Sequence, residues 1–170
     1  SNGYLSLVKE LFPNAKIVAD KFHALRLVTP ALLKCRKEIH GHRQDLQRRR
    51  LLLKNREDLE YFVRSDLDRY LKEHPELDEL YRFKERLREF YRCRGKPRAK
   101  INLEKLIAQA EQSVLEPVQR LARTMKRWKN ELLEYFENRW TNGFTEATNG
   151  NAKALQKRAR GYKNFGNYRL

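Results

Sequence analysis

The chain holds 170 residues, with 38 Lys and Arg against 22 Asp and Glu and a formal net charge of +16. Seven Gly, five Pro and 40% hydrophobic residues leave few breaks and enough apolar mass for one core, which favours helices over a β-rich fold. No apolar run is long enough for a membrane span, no signal or lipidation motif is present, and two distant cysteines exclude a disulfide framework; the expected setting is cytoplasmic, with a polyanion as partner.

Residues 4–11 place Leu5, Val8 and Leu11 at helical spacing, and Pro13-Asn14 ends that helix. Ile17-Val18-Ala19 is a short β-branched run closed by Asp20 and reads as a buried strand. Leu25, Val28, Leu32, Cys35 and Ile39 then mark a long helix that crosses Pro30 and ends near Gly41. From Lys34 to Arg56 nine Lys and Arg face two acids, but from Glu57 to Tyr91 eleven acids meet seven bases. That acidic stretch reads as two helices separated at His74-Pro75, the first striped by Leu59, Phe62, Val63, Leu67, Tyr70 and Leu71, the second by Leu77, Leu80, Tyr81, Leu87, Phe90 and Tyr91. Arg92 to Lys100 reads as a basic loop, followed by a helix over 103–114. Pro117 opens one more helix, with Leu121, Met125, Trp128, Leu132 and Tyr135 as its core face.

The last 32 residues carry seven Lys and Arg and one acid, Glu146. Behind the loop Thr141-Asn142-Gly143, a helix running to about residue 160 would align Glu146 with Asn149, Lys153 and Lys157 at i+3, i+7 and i+11. Such a face can hold a metal through its carboxylate and DNA phosphates through its cations. A Glu that only stabilises a helix N-terminus has the same spacing. Asp20 is equally double: a ligand at a strand end, or the N-cap of the helix that follows. His23 stands close enough to flank the same site, as a chemical or a packing group. His40, His42 and His74 have no sequence partners that suggest a site. Cys35 lacks a second cysteine at zinc-ligand spacing and reads as a core thiol.

Three motifs bear on these alternatives. Phe12-Pro13-Asn14-Ala15-Lys16-Ile17-Val18-Ala19-Asp20-Lys21-Phe22-His23 resembles the FPNA-x-hydrophobic-D-x-FH signature of bacterial insertion-sequence transposases of the ISL-three type. Asn142 to Lys153 resembles that family's NG-x-x-E-x-x-N-x-x-x-K segment, and Arg158 to Phe165 its R-x-x-G-y-x-n-f ending. Some members carry Gly where Ala147 stands here.

The resemblance implies a mainly α chain: part of an RNase H-like α/β domain, one strand retained, with a long all-helical insertion. Residues 1–43 would be the second half of that core, 44–138 the insertion and 139–170 a C-terminal basic helix. Asp20 and Glu146 match the second and third carboxylates of a DDE triad, as catalytic and metal-binding residues for Mg2+ or Mn2+. Asn149, Lys153, Lys157, Arg158 and Arg160 would contact DNA. The first Asp has no counterpart in the sequence, so the chain is expected to be a piece of a longer enzyme, inactive alone and prone to form a homodimer. The alternative is a basic helical nucleic-acid-binding module without catalysis.

Overall fold

Among the described residues every regular element is a helix, as the scarcity of breakers leads one to expect. The structure is a computed structural model; it describes residues 2–19, 21–41 and 46–158, with backbone alone at 2–5, 9, 22 and 23. The chain divides into two compact units, Ser1–Arg139 and Trp140–Leu170.

In the first unit, α1 (Asn2–Leu11) precedes α2 (Lys21–His40), α3 (Leu46–Leu53), a 3-10 turn at Arg56–Asp58, α4 (Tyr61–Glu73), α5 (Pro75–Arg92), α6 (Lys96–Glu111), α7 (Glu116–Arg127) and α8 (Lys129–Asn138). The core is built on α2 against α5, with α6 bridging from α5 to α7 and α8. Val28 and Leu32 of α2 are wholly buried, beside Ala24 and Cys35. From α5 come Leu77, Leu80, Tyr81, Leu87, Phe90 and Tyr91, the 3.6-residue stripe read from the sequence. Each fully buried Leu contributes about 1.5–3 kcal/mol through its apolar area. An aromatic corner closes the far end, where Phe90 meets Phe136 and Tyr91 meets Tyr135 edge to face, at centroid separations of 4.9 and 5.2 Å.

Local chemistry sets the ends of these helices. Gly41 takes φ +66° after α2, the left-handed turn that glycine permits without a Cβ clash. Pro75 and Pro97 sit in the first turns of α5 and α6, where a missing N–H costs nothing. A buried Lys84 donates from Nζ to the carbonyls of Leu52 (2.9 Å) and Lys54 (2.6 Å), closing the C-terminus of α3. Burial pushes that ammonium below its ordinary pKa, while Glu85 pulls the other way.

Several expectations change. Residues 17–19 form no strand, because no neighbouring strand among the described residues offers a ladder. Helix α6 starts at Lys96, so the basic stretch 96–100 is helical rather than a loop. The helix expected after Pro117 is broken at Trp128 (φ −98°, ψ 19°) into α7 and α8. The i to i+4 bonds persist across the break, from Trp128 N–H to Thr124 O and from Leu132 N–H to Trp128 O, so the apolar stripe survives it. Phe62 is 79% exposed instead of buried, and Leu7 and Leu11 of α1 and Phe12 just after it are also exposed. The second unit contributes one described helix, α9 (Gly143–Arg158), with no buried side chain.

Candidate metal centre and nucleic-acid interface

Helix α9 begins where Asn142 turns the chain, and its first turn is closed by the Glu146 N–H donating to the Asn142 carbonyl at 2.9 Å. Glu146 thus stands in the positive first turn of a helix. At about 100° per residue, Lys153 and Lys157 lie roughly 20° to either side of Glu146 and Asn149 roughly 60° away. All four are exposed. Arg158 is exposed too, but roughly 120° round the helix. Phe144 (86% exposed) and Leu155 (60%) fall on the opposite side. The helix therefore has one face carrying a carboxylate and two ammonium groups, and an opposite side where Phe144 and Leu155 stand beside Thr148 and Asn151. Among the described residues Glu146 enters no ion pair, although cations flank it. Arg160 and Asp20 lie outside the described residues, as does the His23 side chain.

The segment leading to Asp20 is described and is held firmly. Pro13-Asn14 turns the chain, with the Ala15 N–H on the Phe12 carbonyl at 3.0 Å. Residues 15–19 then run without regular structure, and the Ala19 N–H donates to the Glu131 carbonyl of α8 at 2.9 Å. Val18 and Ala19 pack against the core. Lys16 reaches Glu137 at 3.0 Å and Glu134 at 4.0 Å, and Lys96 of α6 bonds the same two acids. Hydrogen bonds from Lys96 and Lys16 hold the Glu137 carboxyl down at about 2.

Other polar groups are occupied within the fold. Glu57 accepts from Arg92 and Arg88, which also hold it at about 2. Asp68 pairs with Arg56, Glu116 with Arg120, Glu111 with Lys126 and Glu104 with Lys129. His40 and His74 do have partners, which their sequence separation concealed. His40 Nε2 lies 2.8 Å from the Tyr70 hydroxyl, and the His74 ring sits 4.9 Å from Tyr70 and 5.1 Å from His40, edge on. Arg48 covers Tyr70 at 4.9 Å. This junction ties the end of α2 to the α4–α5 corner. Cys35 is a buried core thiol pushed up to about 11, chiefly by burial, as its place in the α2 stripe suggests. No group of three or more His, Cys, Asp or Glu side chains with metal-binding placement occurs among the described residues.

Sequence reasoning missed the docking of residues 16–19 on α8. Its only trace is an acid at every third position, Glu131, Glu134 and Glu137, which alone reads as a solvated helix edge.

None of the described helices is long and apolar enough to cross a membrane. A family model for ISL-three-type DDE proteins, described as Transposase, matches residues 1–170. Comparison with curated proteins and with solved structures returns no match.

Proposed function

As a chain that belongs to the ISL-three-type DDE transposase family, this protein carries, we propose, two of the carboxylates of a centre that cuts and joins DNA at insertion-sequence ends by metal-dependent phosphoryl transfer. The observation that carries this reading is the exposed face of α9, where Glu146, flanked by Lys153 and Lys157, makes no ion pair among the described residues. Asp20 is its partner carboxylate on the motif match alone. In this reading residues 1–43 and 139–170 belong to an RNase H-like catalytic core and 44–138 to its helical insertion.

The donor chemistry fits Mg2+ or Mn2+, since hard divalent ions take carboxylate oxygens and Glu146 offers an uncommitted, solvent-facing one. Such ions, when bound, activate the attacking oxygen and stabilise the leaving oxygen of a phosphodiester. The protein's own contribution is positioning. Lys153 and Lys157 neutralise backbone phosphates beside Glu146 without reading sequence. Asn149 offers an amide to the same strand, and Arg158 with Arg160 extends the cationic tract around the helix. A DDE centre takes three carboxylates and the motifs here supply two, so residues 1–170 alone should show no strand cleavage. Exposed Phe144 and Leu155 support a second copy of the chain as a further partner.

Duplex binding measured by fluorescence anisotropy over a range of salt tests the DNA half of this reading. Lys153→Ala/Lys157→Ala should weaken binding and lower the salt slope by about 2, near one for each phosphate that is no longer neutralised. An unchanged slope removes α9 from the interface. Mn2+ binding followed by paramagnetic broadening tests the metal half: Glu146→Gln should abolish the broadening around α9. DNA binding without any such broadening would leave a basic binding module with no catalytic role.

A further inference from the structure

We propose that α8 is a docking rail that sets the register of the segment carrying Asp20, with Lys16, Glu134 and Glu137 as positioning residues. The inference rests on the transposase reading for the importance of Asp20, but its geometry is independent of that reading. Two fastenings define it. At one end Lys16 Nζ pairs with Glu137 (3.0 Å) and Glu134 (4.0 Å). At the other the Ala19 N–H donates to the Glu131 carbonyl (2.9 Å).

These fastenings run in opposite chain directions. Lys16 meets the C-terminal part of α8, and Ala19, three residues later, meets its N-terminal part. The six residues from Glu131 to Glu137 rise about 9 Å along the helix, and three extended residues span about 10 Å, so the lengths match. The segment from Lys16 to Ala19 therefore runs antiparallel along α8, with both ends satisfied in one register. A slip of one residue, about 3.3 Å, would take the Ala19 N–H off the Glu131 carbonyl and leave Lys16 to follow its acids only by the reach of its flexible arm. The helix thus performs for residues 16–19 the aligning task that a neighbouring strand performs in a sheet.

Lys96 makes the rail rigid. Standing at the start of α6, it bonds Glu134 and Glu137 as well, so the two acids are shared between α6 and Lys16. The acids consequently hold α6, α8 and the Asp20 segment in one network. Partial burial of Val18 and Ala19 against the core adds an apolar grip between the fastenings. Any displacement of α8 is transmitted to the residue immediately before Asp20.

The test is amide hydrogen exchange on residues 1–170, comparing Lys16→Met, Glu134→Gln/Glu137→Gln and Lys16→Arg. The Ala19 amide should exchange roughly three- to tenfold faster in the first two variants, the scale set by a partly exposed ion-pair network. It should stay protected in Lys16→Arg, which keeps a cation at the same reach. Core amides of α5 should not change. Unaltered Ala19 exchange in Lys16→Met overturns the rail, and so does a uniform acceleration that includes α5, because it would show a general stability role. An Asp20→Asn variant scored by Mn2+ broadening is read separately. If it binds Mn2+ like the parent chain, the metal reading falls while the rail stands.

Discussion

Ion pairs hold many acids of the first unit, and among the described residues none holds the one acid of the second. In Ser1–Arg139 the carboxylates of Glu57, Asp68, Glu104, Glu111, Glu116, Glu134 and Glu137 each meet a Lys or Arg. In Trp140–Leu170 the single acid, Glu146, lies among cations and makes no ion pair among the described residues. The contrast separates two uses of one side chain. A carboxylate inside an ion-pair network fastens helices, and a ligand there has to compete with the cations that already hold it. A carboxylate left open on an exposed, cation-lined face is available to a metal, and its neighbours are available to phosphate.

Packing differs in the same way, and the largest expected effect tests that. Leu32 is fully buried between α2 and α5, so Leu32→Ala should cost about 2–5 kcal/mol in urea unfolding. Leu155→Ala, on the side of α9 opposite Glu146, should stay within about 0.5 kcal/mol. Equal costs for the two would erase the distinction between a packed unit and an open helix. Next comes Lys84→Met, which keeps the stem but leaves the Leu52 and Lys54 carbonyls without their donor; about 1–3 kcal/mol should be lost. No loss would mean that water replaces the ammonium.

The proposed DNA contacts would separate the units at a similar scale. Lys153→Ala/Lys157→Ala should weaken duplex binding roughly tenfold at moderate salt, with thermal unfolding unchanged. Arg120→Ala, which only breaks a pair with Glu116, should leave binding close to the parent value. Should the Arg120 variant prove the more damaging, the interface lies on the first unit.

A smaller effect concerns acid. Glu57 and Glu137 sit at about 2 in the folded chain against an ordinary 4.5, held down by hydrogen bonds from Arg92 with Arg88 and from Lys96 with Lys16. Their folded pKa is depressed, so their contribution is present above about pH 4.5 and lost as pH falls toward 2. Circular dichroism should show stability declining through that window, less steeply in Glu57→Gln/Glu137→Gln and less in high salt. An equally steep decline in the double variant would mean that other carboxylates drive acid unfolding. Smallest of all is the stability change in Glu146→Gln, within about 0.5 kcal/mol. A larger loss would make Glu146 a structural acid like those of the first unit.

Much of this molecule could be read from residue order alone, because helix periodicity and charge runs are local properties. The α2 stripe of Val28, Leu32 and Cys35, the α5 stripe, the break at His74-Pro75, the motif resemblance and the lone Glu146 facing Lys153 and Lys157 all follow from spacing within one element. What required the tertiary structure depends on meetings between distant residues. Ile17-Val18-Ala19 has strand composition, yet a strand exists only through its neighbour, and the neighbour here is helix α8. Lys16 and Glu137, or His40, Tyr70 and His74, show no mutual signal in sequence because pairing energy depends on distance in space rather than along the chain. Trp128 keeps the helical period on both sides of a bend, so periodicity cannot report it. Pattern determined which faces seek burial; packing decided which of them found a partner, and left the face of Glu146 open.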